Sequence, residues 1–220
     1  MLSQFIIAAG VGISAFWGAL ESRPECSQFT GPSCTCPANT TFQESTTWAV
    51  LGANARDVKA IAGSFQNTDW FGVSSENVKG KDNTLGCTRT LTGEMPVGVL
   101  TFVERLYGYQ ESADGSFTHF YDIENAPINY EGPAGSGSFH GDWDVLDVIA
   151  DGPDRTKIVW SIYACFTPDG GFEHFHESAI KNISSILVSQ GKSTGMIQAP
   201  YHAKTAAPYT ERLDLLAQIS

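Results

Sequence analysis

Glu104 is a carboxylate in a segment whose pattern predicts an apolar strand face. Residues 98–108 alternate as a β-strand does, and the neighbours of Glu104 on its face are apolar, namely Leu100, Phe102 and Leu106. Because an unpaired charge is costly to bury, such a carboxylate is paired, protonated or used in chemistry. Arg89, on the preceding predicted strand, is the natural partner in a structural interpretation. In the functional interpretation, Glu104 holds a ligand hydroxyl or acts as a general base.

His119 and Tyr121 lie two residues apart on the predicted strand Phe117–Ile123, so their side chains share one face. Together with Glu104 they could polarise a ketone and move a proton. An aldol-type cyclisation or a dehydration of a polyketide requires that chemistry. The alternative is structural, with the histidine and the tyrosine hydrogen-bonded to each other or to the backbone.

His174 and His176 suggest a metal site together with His119, but their spacing argues against it. Side chains two residues apart on a helix project about 200° from each other, so they cannot bind one ion. The sequence also lacks a phosphate-binding glycine loop and a His-Glu-x-x-His zinc motif. We therefore expect neither a metal nor a cofactor.

A run of β-strands and one long helix must position these side chains. Alternation predicts strands at Thr46–Leu51, Leu85–Leu91, Gly98–Gly108, Phe117–Ile123, Phe139–Ile149 and Thr156–Phe166. Turn-forming residues at 111–115 and 151–154 favour antiparallel pairing. Short helical segments are predicted at 53–62 and 69–71, and apolar residues at three- and four-residue steps predict a helix over Phe172–Ser189. This order indicates an α+β fold, a curved antiparallel sheet packed on one helix.

Four short motifs in this order are similar to those of a known family. They are Leu85-Gly86-Cys87-Thr88-Arg89, Phe102-Val103-Glu104-Arg105-Leu106, Phe120-Tyr121-Asp122-Ile123 with Pro127 and Asn129-Tyr130, and Thr156-Lys157-Ile158-Val159-Trp160. With the final helix they resemble the START-like superfamily (SRPBCC) of the birch pollen allergen and the plant abscisic acid receptors, and most closely its polyketide cyclase/dehydrase family. The resemblance covers residues 44–190. It implies the helix-grip fold, in which about seven antiparallel strands wrap around the C-terminal helix and two short helices follow the first strand.

The resemblance also implies a deep cavity between the sheet and the last helix. If the apolar faces look inward, the ligand-binding residues are Arg89, Phe102, Glu104, His119, Tyr121, Trp143, Trp160, Phe172 and His176. The hormone receptors of this superfamily use the glutamate equivalent to Glu104 to hold their ligand. The leading hypothesis is binding of a small hydrophobic molecule such as a lipid, polyketide or sterol. The alternative is a cyclase or dehydratase that uses Glu104, His119 and Tyr121, since a fold alone does not settle function.

The predicted strand Phe139–Ile149 contributes Trp143 to that cavity. Strict alternation places Gly141, Trp143 and Val145 on the inward face. Asp142 and Asp144 then fall on the outward face, where we expect them to be solvated.

The two ends of the chain are predicted to lie outside the domain. Residues 1–20 carry no charged side chain and read as a secretory signal peptide, the alternative being a membrane anchor formed by residues 5–20. A Cys-rich, irregular lead-in is predicted at 21–43. Residues 191–220 are predicted to be a tail with a short helix near its end.

The cysteines and sequons favour a secreted or lumenal protein, or one held at a membrane by residues 5–20. Cys26, Cys34 and Cys36 crowd the lead-in, and with Cys165 they are the disulfide candidates. The odd number of cysteines, five, leaves at least one thiol free or paired between chains. The sequons at Asn39 and Asn182 are candidate glycosylation sites.

The charge of the chain excludes classes of partner. With 13 basic and 24 acidic side chains the formal net charge is −11. Such a polyanion has no general attraction to nucleic acids or to anionic membrane surfaces. The expected partner is therefore a small hydrophobic molecule, and the oligomeric state stays open.

Overall fold

The computed structural model of the 220-residue chain describes residues 34–95, 98–132, 135–167 and 172–203. The predicted signal peptide or anchor, Cys26 and the predicted short helix near the end of the chain lie outside these residues. The strands are β1 Thr41–Leu51, β2 Val78–Lys79, β3 Thr88–Met95, β4 Gly98–Glu111, β5 Phe117–Ile123, β6 Ile128–Gly132, β7 Gly135–Ala150, β8 Thr156–Thr167 and β9 Met196–Ala203. The helices are α1 Ala55–Ala62 and α2 Phe172–Ser189, and a 3-10 turn, Asp69–Phe71, follows α1.

The strands form one antiparallel sheet in the order β2-β3-β4-β5-β7-β8-β1-β9, and β6 pairs with β7. Helix α2 packs against one face of this sheet, which we call the inner face. Its buried apolar residues recur at steps of one, three and four, namely Ala179, Ile180, Ile183 and Leu187. The curved sheet on one late helix confirms the predicted helix-grip fold.

The sheet has nine strands, whereas alternation predicted six and the resemblance implied about seven. The strands that were not predicted are β2, β6 and β9. Strand β2 has two residues and β6 has five, which is too short for alternation to stand out. Strand β9 lies in the segment predicted as a tail, and it pairs with β1, where Tyr201 stacks on Trp48 with ring centroids 5.6 Å apart.

A β-bulge in β7 reverses the predicted faces of that strand. Phe139 pairs with Phe166 of β8, but the next pair, Gly141 with Cys165, is shifted by one residue. The extra residue moves the following side chains to the opposite face. Asp142 and Asp144 therefore lie on the inner face and Trp143 and Val145 on the outer face, so the predicted assignment of these four residues was wrong.

The outer face of the sheet is also partly buried. A cluster of Phe120, Trp143, Val145, Tyr163 and Cys165 lies there, with Cys34 and Cys36 packed against it. Cys36 is disulfide-bonded to Cys165, Cys34 is also in a disulfide, and Cys87 is a buried free thiol. The disulfide is typical of proteins that fold in an oxidising compartment.

The two sequons differ in their surroundings. Asn39 is exposed. Asn182 is half-buried on α2, and its side-chain nitrogen donates to the Trp70 carbonyl at 3.1 Å. Glycosylation at Asn39 and at Asn182 stays a prediction. Among the described residues, no helix is long and apolar enough to cross a membrane.

Candidate functional site

A cavity of about 150 Å³ lies between the inner face of the sheet, the 3-10 turn and the first turns of α2. Its walls are mainly aromatic, with rings from Phe71, Phe102, Phe139, Trp160 and Phe175. The polar side chains that converge on it are Glu104, Tyr121, Asp142, Asp144 and His176. Apolar walls with a few polar groups are typical of sites for small molecules.

Some of the residues predicted from the sequence line this cavity, and others do not. Those that line it are Phe102, Glu104, Tyr121, Trp160 and His176. Arg89 lies behind Glu104, His119 lies beside the segment that follows α1, and Trp143 lies on the outer face. The side chain of Phe172 is outside the described part of the structure.

Arg89 and Glu104 are direct cross-strand partners on β3 and β4. The Nε of Arg89 donates to Oε2 of Glu104 at 2.5 Å, and its Nη1 donates to the Phe65 carbonyl at 2.6 Å. Arg89 is only 2% exposed and Glu104 14%. The buried pair is therefore formed as the structural interpretation predicts, while Glu104 also faces the cavity.

Aromatic rings enclose the Arg89 guanidinium. Its Cζ lies 4.2 Å from the ring centroid of Phe65 and 4.9 Å from those of Phe71 and Tyr121. Cations are attracted to such ring faces, which partly replaces the lost hydration. Arg89 is thus buried among these rings and paired with Glu104 through Nε, while its Nη2 has no hydrogen-bond partner in the described structure.

Asn83 fixes the segment that supplies the Phe65 carbonyl. The Asn83 side chain accepts from the Phe65 amide at 2.9 Å and donates to the Gly63 carbonyl at 2.7 Å. These two bonds position the segment after α1 against the sheet. The hydrogen bond from Arg89 to Phe65 depends on that position.

Asp142 and Asp144 form a buried carboxyl pair on β7, 8% and 6% exposed. Their side chains are hydrogen-bonded to each other. The indole N–H of Trp160 donates to Oδ1 of Asp144 at 2.9 Å. Oδ1 of Asp142 has no hydrogen-bond partner among the described residues.

Burial makes this pair hold a proton at neutral pH. Burial and then the negative charge of Glu104 raise the pKa of Asp144 to about 8, against the opposing effect of the Trp160 hydrogen bond. Burial and then the adjacent Asp144 raise the pKa of Asp142 well above its ordinary value. The pair therefore carries a proton at the wall of the cavity at neutral pH.

His176 stacks on Trp160, with ring centroids 4.0 Å apart and an interplanar angle of 11°. Its Nε2 lies 3.9 Å from Oδ1 of Asp144. Complete burial lowers the pKa of His176 to about 3, so the imidazole is neutral at physiological pH. The contact with Asp144 is therefore not an ion pair.

His119 does not line the cavity. Its ring packs among Phe65, Tyr109 and Phe117, with centroids 5.0 to 5.9 Å away. Burial, and then the charge of Arg89, lowers its pKa to about 3. Glu104 and Tyr121 thus share the cavity without His119, and burial raises the pKa of Tyr121 well above its ordinary value, which keeps the phenol protonated.

Sequence reasoning missed Asp142 and Asp144 as residues of the site. The signal that could have found them is the phase of the same strand further on, because Leu146 and Val148 share their face and belong to the main core. Phe71, Phe139 and Phe175 were also missed. Phe71 and Phe175 lie near an end of their elements and Phe139 precedes the bulge in β7, so the sequence repeat does not show which face of the element they occupy.

The solved structures most relevant for comparison are distant in sequence. Norcoclaurine synthase from Thalictrum flavum, in complex with dopamine and hydroxybenzaldehyde, is 16% identical, with 85% of this chain and 98% of that chain covered and a TM-score of 0.45. A protein from Thermobifida fusca solved by NMR is 19% identical, with 65% and 94% covered and a TM-score of 0.45. The major latex-like protein 151 of Panax ginseng is 10% identical, with 66% and 97% covered and a TM-score of 0.47.

No curated protein matches the chain in sequence. A family model described as a START domain matches residues 42–206, which is well over half of the chain. The match begins within β1 and ends beyond β9, so it includes every described element of the sheet and α2. The chain therefore belongs to the START-domain family.

Proposed function

We propose that the protein binds a small, mainly apolar molecule in the cavity between the sheet and α2. The observation that carries this proposal is the cavity wall, where rings from the 3-10 turn, the sheet and α2 face one space. A cavity of about this volume accommodates a group the size of a benzene ring. The START-like fold supports the proposal because it suggests binding of hydrophobic ligands.

A neutral fluorescent probe tests the proposal. N-phenyl-1-naphthylamine is expected to brighten on binding to the intact protein. Val73→Trp fills the cavity wall and should weaken probe binding at least about tenfold. Val78→Trp is the matched control because Val78 is 50% exposed on β2 and does not line the cavity. Equal binding by both variants would place the probe elsewhere and refute the proposal.

The natural ligand can be sought without knowing its identity. Native mass spectrometry of the protein purified from its own host should show a complex that is heavier than the chain by the mass of one small molecule. Extraction into organic solvent should then release that molecule. Its absence from wild type as well as from Val73→Trp would count against a tightly held ligand.

A second candidate function is acid–base catalysis of the cyclase or dehydratase type. The observation that favours it is the Asp142–Asp144 pair, which holds a proton at neutral pH on the same cavity as Glu104 and Tyr121. We propose this candidate without His119. Glu104→Gln, incubated with the molecule recovered from the host, distinguishes the two functions. Lost turnover with retained binding indicates catalysis, whereas wild-type protein that binds without turnover indicates a binding protein.

We also propose that the protein works in an oxidising compartment, as a secreted or lumenal protein. The Cys36–Cys165 disulfide supports this, because such bonds are rare in reducing compartments. Titration of thiols on the denatured, unreduced protein from its host tests it. Five free thiols would contradict the proposal.

A further inference from the structure

The cavity has an excess of acidic groups. Glu104, Asp142 and Asp144 all line it, and in the described part of the wall no lysine or arginine does. Arg89, the cation behind Glu104, bonds Glu104 through Nε and the Phe65 carbonyl through Nη1 and is enclosed by rings, and it does not line the cavity. A ligand that enters this space therefore meets two carboxyl groups, Asp142 and Asp144, that no cation of the described wall balances and that hold a proton instead.

The wall also carries an acceptor without a donor. Asp142 is more than nine-tenths buried, and its Oδ1 has no partner in the described structure. Oδ1 of Asp144 already accepts from Trp160, and the two carboxyl groups are bonded to each other. Because buried polar atoms normally have partners, the free oxygen points to a donor on the ligand.

Aromatic rings stand around the same part of the cavity. The centroids of Phe71, Trp160 and Phe175 lie 5.2 to 5.8 Å from one another, and Tyr121 lines the wall as well. The faces of such rings attract cations, and they also bind apolar groups. This environment suits a group that is both cationic and attached to hydrocarbon.

We propose that the ligand is an apolar molecule with one basic amine, whose ammonium group binds at Asp142 and Asp144. This rests on the proposed function, because it names the class of ligand for the same cavity. The ammonium supplies the missing donor to Oδ1 of Asp142 and offsets the excess of carboxyl groups. A hydroxyl supplies only the donor, and a carboxylate supplies neither a donor nor a positive charge to replace the proton of the pair.

Binding of the ammonium displaces protons from the pair. The groups that face it are Asp142 and Asp144 from β7, Glu104 from β4, Tyr121 from β5 and His176 from α2, with Arg89 of β3 behind Glu104. Of these, Asp144 has its pKa near 8, while His176 is already neutral and Tyr121 stays protonated. The affinity for an amine should therefore rise as the pH increases from 6 towards 8, while that for an alcohol should not change.

Three ligands of similar size and shape differ in the charge of their polar group, so comparing them isolates the effect of charge on binding. Benzylamine, benzyl alcohol and benzoate are titrated into the full chain by isothermal calorimetry, at pH 6 and pH 8. Benzylamine is expected to bind at least about tenfold more tightly than benzyl alcohol at pH 8, as charge-assisted hydrogen bonds allow. Benzoate is expected not to bind. Buffers that differ in ionisation enthalpy should reveal proton release with benzylamine alone.

Asp142→Asn tests the assignment to this residue. It should lower the affinity for benzylamine about tenfold and leave that for benzyl alcohol within about threefold. Asp147→Asn is the control, because Asp147 is a buried carboxylate of the same strand that bonds Thr118 and does not line the cavity. If Asp142→Asn does not fold, the inference is still tested by the pH dependence of benzylamine binding to the wild type and by the proton release that accompanies this binding.

The outcomes separate this inference from the proposed function. Benzyl alcohol binding as tightly as benzylamine, or an amine affinity that does not change with pH, overturns the inference. If N-phenyl-1-naphthylamine binds and benzylamine does not, the inference is wrong and the proposed function stands. If neither binds, both are wrong.

Discussion

Replacing Glu104 by Gln should destabilise the protein, because it leaves the Arg89 charge buried without its carboxylate. Arg89 is 2% exposed, and its Nε–Oε2 bond to Glu104 is 2.5 Å long. Removing one member of a buried ion pair typically costs about 3 to 5 kcal/mol. Glu104 is 14% exposed, so some solvent reaches the site and we expect about 3 kcal/mol, the lower end of that range.

A double-mutant cycle isolates the pair from the other contacts of Arg89. Arg89→Met also loses the hydrogen bond to the Phe65 carbonyl and the contacts with three rings, so it should cost at least as much as Glu104→Gln. Once the arginine is gone, however, the neutral amide introduced by Glu104→Gln leaves no buried charge. The double variant should therefore be more stable than the sum of the single losses predicts, by about 2 kcal/mol.

Urea denaturation measures these free energies, with the disulfide kept intact and the slope of the transition compared between variants. Arg56→Met with Glu104→Gln is a suitable control cycle, because Arg56 is exposed and bonds only the Ala113 carbonyl among the described residues. That control should be additive. Additivity within about 0.5 kcal/mol for Arg89 and Glu104 as well would refute the energetic account of the pair.

Three further predictions concern stability. Replacing Cys36 and Cys165 together by Ala should lower the free energy of unfolding, measured in urea, by up to about 5 kcal/mol, because the bond spans 129 residues and its loss frees the unfolded chain. Cys87→Ala is the control, and the stability change that it causes should not depend on reductant. His119 has a pKa lowered to about 3, so stability should fall as the pH decreases from 6.5 towards 3, and thermal melts of His119→Phe should show about 1 kcal/mol less loss per pH unit. Asp144 has a raised pKa, so its burial opposes folding increasingly as the pH rises from about 4 to 8, and Asp144→Asn should raise the melting temperature at pH 8 but not at pH 4.

Alternation and helical periodicity predicted the ends of an element best where the element has no bulge. Strand β5 has the predicted ends, Phe117–Ile123, and helix α2 has the predicted ends, Phe172–Ser189. The inner faces of β5 and β8 were also assigned correctly, with Tyr121 and Trp160 on the cavity. The repeat is regular along these elements, so assigning one residue to a face assigns all the other residues to their faces as well.

Strand β7 differs from β5 and β8 because a bulge interrupts its alternation, although all three strands are buried on both faces. In a sheet with one solvated face, the apolar residues of a strand identify its inner face. On β7, Leu146 and Val148 pack in the main core while Trp143 and Val145 pack in the outer cluster. Apolar residues therefore occupy both alternating faces of β7. Leu146 and Val148 favour the observed phase, but the bulge after Phe139 is evident only from the pairing with β8.

The disulfide and the acidic pair are linked through this strand. Cys36 is bonded to Cys165, and Cys165 pairs with Gly141 at the bulge that turns Asp142 inward. The segment tied down by the disulfide covers Trp143, whose large ring would otherwise be exposed on the outer face. An apolar outer residue is stable there only because it is covered, and with Trp143 outward its neighbours Asp142 and Asp144 must face inward. The cysteines near the start of the domain thus contribute to the cavity chemistry without entering the cavity, since they stabilise the phase of β7 that places two carboxyl groups on its wall.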